Sequence, residues 1–151
     1  MRIEPLITEA QRDVCARIMA ESDPWLTLGQ TYEQSLRLML MPDREIYVAL
    51  EGEAVAGFAI LSMQGILAGY LQTLAVAAPL RGQGVGTKLM SHIETRVFGD
   101  KPNVFLFVSS FNTPAQQFYA ALGYETIGIV HEFLVKGHDE ILMRKTIGPL
   151  R

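Results

Sequence analysis

Arg81-Gly82-Gln83-Gly84-Val85-Gly86-Thr87 sets three of the chain's thirteen glycines at alternate positions, between a strand-like segment and an amphipathic helical one. Glycine there lets the chain turn with positive φ and lets a ligand approach the backbone closely. The chemistry this suits is anion binding. The first amides of a helix lack intrahelical acceptors, point one way and carry the positive end of the dipole, so a pyrophosphate can accept from several at once. Arg81 and Lys88 add charge, and Thr87 adds a hydroxyl donor. A Walker loop ending on Lys88 would need glycine at Thr87 and Ser or Thr at Leu89, and a dinucleotide fingerprint begun at Gly82 also needs glycine at Thr87. Both patterns fail, which weakens a nucleotide-binding reading.

What remains is Arg-x-x-Gly-x-Gly at Arg81, Gly84 and Gly86, directly after a strand ending in Leu74-Ala75-Val76. Downstream, Asn112-Thr113-Pro114-Ala115-Gln116-Gln117-Phe118-Tyr119-Ala120-Ala121-Leu122-Gly123-Tyr124-Glu125 holds a short helix opened near Asn112 and closed by Gly123. Together, at this separation, the two motifs resemble those of the GNAT N-acyltransferase superfamily. The resemblance implies acetyl-CoA as acyl donor, with no metal, and an amine-bearing acceptor. It implies that Arg81, Gly82, Gln83, Gly84, Val85, Gly86 and Thr87 cradle the pyrophosphate. The strand before the loop would splay from its neighbour, so that backbone groups of Leu74, Ala75 and Val76 pair with the pantetheine arm. Tyr119 would protonate the leaving thiolate, and Asn112 would cap its helix or bond the pantetheine arm.

Acetyl transfer to an amine also needs a proton acceptor. Several family members carry a glutamate on the strand before the loop, but Tyr70 to Ala77 holds no carboxylate, only Gln72 and Thr73. A base must come from elsewhere, or a water chain must act. Glu21 and Asp23 lie near the expected acceptor site and His131, Glu132 and His138 near the last strands, each reading first as a solvated loop residue. Cys15 could form an acyl-enzyme, but it shares a helical stripe with Val14, Ile18 and Met19 and reads as a small buried hydrophobe. Trp25 and Tyr32 line the acceptor pocket or the core. The expected activity is therefore N-acetylation by direct transfer in a ternary complex; the alternative is an acyl-CoA-binding or sensing module without turnover. The pocket is expected to draw on Glu21 to Met41 and on His131 to Glu140, and a polyamine, an amino acid, an aminoglycoside and a protein amino terminus all remain open as acceptors.

The elements that must position these groups alternate along the chain. Thr8-Glu9-Ala10-Gln11 and Thr31-Tyr32-Glu33-Gln34 have capping-box spacing and open two early helices. Strands follow over Ile46 to Leu50, Ala54 to Met63 and Tyr70 to Ala77. The glycine loop then leads into a helix with Val85, Leu89, Ile93 and Val97 at spacing four. Val104 to Val108 is an apolar run suited to a strand covered on both faces. Glu125 to Val130 and Glu140 to Thr146 read as the last strands, joined by a loop from His131 to Asp139. With a first strand from Arg2 to Ile7, the order is β-α-α-β-β-β-α-β-α-β-β: one α/β domain over residues 1–151, GNAT-like, with a mixed, mostly antiparallel sheet flanked by helices.

Composition agrees. The chain's 151 residues are 49% hydrophobic and 19% charged, enough for one sizeable core, and the net charge of −3 gives no basic face for nucleic acid. One cysteine makes neither an internal disulfide nor a multi-cysteine metal site. Glu4 and Pro5 interrupt the apolar stretch a signal peptide needs, and no apolar run approaches the ~18 residues of a membrane span. The expectation is a cytoplasmic enzyme, away from membranes, with an edge-strand homodimer compatible with the fold.

Overall fold

Both capping boxes form. Thr8 Oγ1 accepts from the Gln11 amide at 3.1 Å while the Gln11 side chain accepts from the Thr8 amide at 3.2 Å, opening α1 (Glu9–Ala20). Thr31 and Gln34 repeat the exchange at 3.1 and 2.9 Å to open α2 (Tyr32–Met39). In this computed structural model, which describes residues 1–151, the helices flank a seven-stranded sheet. Its strands are β1 (Arg2–Pro5), β2 (Arg44–Glu51), β3 (Ala54–Ser62), β4 (Tyr70–Val76), β5 (Asn103–Ser109), β6 (Glu125–Val135) and β7 (His138–Thr146), in spatial order β1-β2-β3-β4-β5-β7-β6. Every pairing is antiparallel except β4 with β5. The remaining helices are α3 (Val85–Phe98) and α4 (Thr113–Ala121), so the element order is the one the sequence predicts.

Alternation along the strands sends side chains to two cores. Val48, Leu50, Phe58 and Ile60 meet Cys15, Ile18 and Met19 of α1 on one face. Ala49, Ala59 and Leu61 meet Val85, Leu89, Ile93 and Val97 of α3 on the other, where Tyr119 of α4 joins them. All four α3 residues are 2% exposed or less, and burial of each such side chain stabilises the fold by about 1.5–3 kcal/mol. Val14, expected on the buried stripe of α1, instead faces solvent, and Ala16 takes its place. Cys15, Ile18 and Met19 stay inward as expected, and the buried arc is turned slightly toward Ala16.

Two features of β4 set up the site. Gly57 of β3 packs so tightly that a Cβ there would lie 2.7 Å from the Ala75 carbonyl oxygen, which holds β3 and β4 together at the end of β4 nearest the glycine loop. On its other edge β4 pairs with β5 only at Tyr70↔Phe105 and Leu71↔Leu106. A bulge at Gln72, between the pairs Leu71↔Leu61 and Thr73↔Ile60, coincides with the parting of the strands. It also turns Leu71 and Leu74 to the same face, both against the α3 core.

The expected loop from His131 to Asp139 is largely strand. β6 continues to Val135 and pairs with His138 across a turn at Lys136-Gly137, after a register break between Val130 and Val135. Glu132 sits at φ 49°, and its backbone and side chain are held by Asp139 and the Gly137 amide. Those local bonds carry the strand across residues whose polarity reads as loop.

Candidate active site

Beyond Leu71 and Leu106 the sheet opens into a V. The edge of Gln72–Val76 that faces β5 has no strand partner, so its backbone donors and acceptors line an open cleft of about 470 Å³. Leu74, Ala75 and Val76 all lie on its wall.

The glycine loop closes one end of this cleft. Gly82 and Gly84 stand at φ 76° and 84°, and Gly84 is the N-cap of α3 with no side-chain cap. The first backbone hydrogen bond of the helix runs from the Lys88 amide to the Gly84 carbonyl at 3.1 Å, and the amides of residues 82 to 87 donate to no acceptor in the chain. Those successive free N–H groups at a helix start form an anion cradle. Gly82, Gly84, Val85, Gly86 and Thr87 line it, while the Val85 side chain points into the core. A Cβ on Gly86 would reach within 3.3 Å of the Phe118 ring, so glycine keeps the crevice between α3 and α4 open. Arg81 lines the cleft but is tethered, donating to the Val76 carbonyl at 3.2 Å and to Ser22 Oγ at 3.0 Å. Gln83 turns back to the Pro79 carbonyl, and neither Gln83 nor Lys88 reaches the cleft wall.

At the other end stand Asn112 and Tyr119. Asn112 lines the cleft, and its Oδ1 caps α4 by accepting from the Ala115 amide at 3.3 Å, which leaves Nδ2 without a partner in the chain. Tyr119 is 8% exposed, with its ring edge-on to Phe118 and Tyr124 at centroid distances of 5.2 and 5.7 Å. Its hydroxyl meets no partner in the chain yet is not sealed off, and burial holds the phenol well above its ordinary pKa. It is a neutral donor aimed at open space.

A second, deeper cavity of about 100 Å³ continues past Tyr119 between β4 and β5. It shares Pro24, Trp25, Leu74, Asn112, Ala115 and Tyr119 with the cleft. Its only charged lining residue is Glu140 of β7, which the sequence gives no reason to single out. Glu140 is 3% exposed, and Ser109 Oγ donates to its Oε2 at 2.8 Å. Burial raises its carboxyl above the ordinary value, against the smaller effects of the Ser109 bond and of His138.

The other base candidates stand apart from this cavity. His131 pairs with Asp139 at 3.1 Å on an exposed edge, His138 packs edge-on to Phe111, and Glu21 and Glu132 are exposed. Asp23 lines the outer cleft, but its Oδ1 is taken by the Thr27 amide and hydroxyl. Trp25 lines both spaces, whereas Tyr32 donates to Asp13 at 2.6 Å between α1 and α2 and lies away from them. Cys15 is fully buried, its thiol pushed up to about 12 by desolvation, and it is no nucleophile.

A seven-stranded sheet parted between β4 and β5 thus holds one continuous cleft, with an amide cradle at one mouth and a tyrosine at the other. Residues 9–124 match the acetyltransferase (GNAT) family, and the chain belongs to that family. An N-acetyltransferase of Methanocaldococcus jannaschii, itself uncharacterized, is 33% identical over 101 residues, which cover 66% of this chain and 64% of the archaeal protein. Among solved structures, an aminoglycoside 6'-N-acetyltransferase complexed with coenzyme A superposes with TM-score 0.78 at 20% identity, covering 99% of this chain and 98% of the other. The ribosomal-protein-S18-alanine N-acetyltransferase of Escherichia coli does so with TM-score 0.75 at 18% identity, covering 98% and 94%. At such identities these structures share the fold.

Proposed function

We propose that this protein is an acetyl-CoA-dependent N-acetyltransferase that passes the acetyl group directly to a primary amine in a ternary complex. The observation that carries this is the continuity of the open β4 edge with the free amides of residues 82 to 87 on one side and the unpartnered Tyr119 hydroxyl on the other. Acetyl-CoA, when bound, supplies an activated thioester carbonyl. The cradle amides take its pyrophosphate, and the edge of Leu74, Ala75 and Val76 adds the pantetheine arm as a further strand. Asn112 Nδ2 is free to donate to that arm. Tyr119 donates to the sulfur as the C–S bond breaks, which offsets charge developing on the thiolate.

A module that only binds acyl-CoA would have no use for a buried phenol whose hydroxyl is spent on no structural bond. A covalent acetyl-enzyme route finds no nucleophile, given the burial of Cys15. A free thiol at Cys15 suits the reducing cytoplasm, where we place the protein. The test is release of CoA thiol from acetyl-CoA in the presence of an amine panel. Release that depends on the amine supports the proposal, whereas tight CoA binding with no release from any amine would leave a binding module.

A further inference from the structure

Resting on the transferase reading of this cleft, we infer that the acceptor is a small amine of single positive charge with an apolar body, its ammonium seated on Glu140. Twelve of the eighteen residues lining the inner cavity are hydrophobic, and Tyr70, Phe107 and Phe133 form an aromatic series with ring centroids 6.0 and 4.9 Å apart. Glu140 is the only charged group in that lining, and it forms no ion pair with any Lys, Arg or His of the chain. Ser109 satisfies Oε2, while Oε1 accepts nothing from the chain and is not sealed away from the cavity. A buried carboxylate left with one hydrogen bond and no countercharge is a costly feature for a fold to keep unless a ligand completes it. The ligand that completes it is a cation with N–H donors, and the walls around it take hydrocarbon.

The same features select against the other acceptors that the sequence leaves open. A polyamine or aminoglycoside would bring further ammonium groups against walls with no second carboxylate, so each would lose its hydration without replacement. An amino acid would bring a carboxylate toward Glu140 with no lining Lys or Arg to receive it. A peptide would bring backbone amides at every residue into a cavity lined mostly by hydrophobic residues, and several of its side-chain acceptors are already occupied. Gln72 accepts from Arg44 at 2.7 Å, Ser109 is bonded to Glu140, and Asn112 Oδ1 caps α4.

Glu140 also closes the proton balance. The ammonium gives one proton to Glu140, the freed amine forms the C–N bond, and the C–S bond breaks. The second proton lost from nitrogen matches the one that Tyr119 passes to the thiolate, so one proton in all leaves to solvent. The raised carboxyl of Glu140, driven by burial, suits a group that must accept a proton and return it.

The test pairs turnover with binding. 2-Phenylethylamine and n-hexylamine, compared with spermidine, kanamycin, alanine and a peptide with a free amino terminus, are expected to give kcat/KM higher by about tenfold or more. Calorimetry in the presence of CoA should show 2-phenylethylamine losing about tenfold or more in affinity in Glu140→Gln. Affinity for the uncharged 2-phenylethanol and for CoA itself should stay unchanged, which also verifies that the variant is folded. Preference for a polycation, an amino acid or the peptide would overturn the inference while leaving the transferase standing, as would equal loss of amine and alcohol binding. Failure of every amine to release CoA thiol would instead remove the transferase.

Discussion

Ser109 and Glu140 are direct register partners on β5 and β7, and the Ser109 hydroxyl donates to Glu140 Oε2 at 2.8 Å. The antiparallel ladder thus fixes the carboxylate at the inner end of the cleft, one oxygen held and the other free. Positioning by a regular ladder is stiffer than positioning by a loop.

That placement should cost stability. The groups around Glu140 are Ser109 on β5, Tyr70 on β4, whose phenol is pushed up first by burial and then by the carboxylate, and His138 on its own strand, which pulls the Glu140 carboxyl down less than burial pushes it up. With the folded value raised above 4.5, the folded state holds its proton more tightly than the unfolded state. The stabilising contribution is present below the unfolded value and is lost as pH rises through the folded one. Glu140→Gln should therefore match wild type in Tm near about pH 4 and exceed it at neutrality. A variant less stable than wild type at neutral pH would show the ionised carboxylate to be paired after all.

Tyr119→Phe keeps the ring contacts with Phe118 and Tyr124 and removes only the unpartnered hydroxyl. Transition-state stabilisation should fall with little change in ground-state binding. The expected outcome is a kcat lowered by about tenfold or more, with CoA affinity nearly unchanged. Steady-state kinetics beside a CoA titration measure both, and unchanged kcat would take Tyr119 out of the mechanism.

Gly84 has open space around its Cα, so the barrier to a side chain there is its φ of 84° rather than a clash. Gly84→Ala should cost about 1–2 kcal/mol in the left-handed region, or relax the turn and misaim the cradle amides. The first route lowers folding stability, and the second weakens CoA binding, by about tenfold if ~1.4 kcal/mol is lost from the complex. Urea unfolding beside isothermal titration separates them, and an unaltered Kd with unaltered stability would mean that the turn has relaxed without disturbing any phosphate contact.

Much of this was legible in local sequence. The two capping boxes, the α3 stripe, the glycine N-cap and the Asn112 cap are set by residues within a few positions of one another, and all form. The role of Leu74, Ala75 and Val76 rested on the family resemblance alone, because main-chain hydrogen bonds require no particular side chain. Glu140 was not legible. In His138-Asp139-Glu140-Ile141 an acid reads as solvated, and only pairing with β5, 31 residues away, buries it. The strand character of His131 to Val135 was hidden for a related reason, since it depends on bonds from Asp139 to a residue at positive φ.

Gly57→Ala tests whether the sheet holds the cleft in shape. The new Cβ would lie 2.7 Å from the Ala75 carbonyl oxygen and within 3.3 Å of Val85 and Leu89, and backbone cannot step aside as a side-chain tip can. β3 and β4 would be pushed apart where β4 forms the cleft wall. A loss of about 1–3 kcal/mol in urea unfolding is expected, together with weaker CoA binding. Full stability would mean that the strands have slack at this point.

Discrimination among nucleotides follows from what each part of the cleft can sense. The cradle amides recognise a phosphate and respond alike to the pyrophosphate of CoA, ATP or NAD. Arg81 adds little selectivity, being tethered to Val76 and Ser22, and Lys88 is not part of the cleft wall. The free edge of Gln72–Val76 is different, because only the amide-bearing pantetheine arm can extend along it as an added strand. CoA should accordingly raise Tm well above the shift given by equal concentrations of ATP or NAD, with stabilisation approaching about 2.7 kcal/mol at a hundredfold excess over Kd. Equal shifts for all three would place recognition in the phosphate alone and leave the open β4 edge without a function.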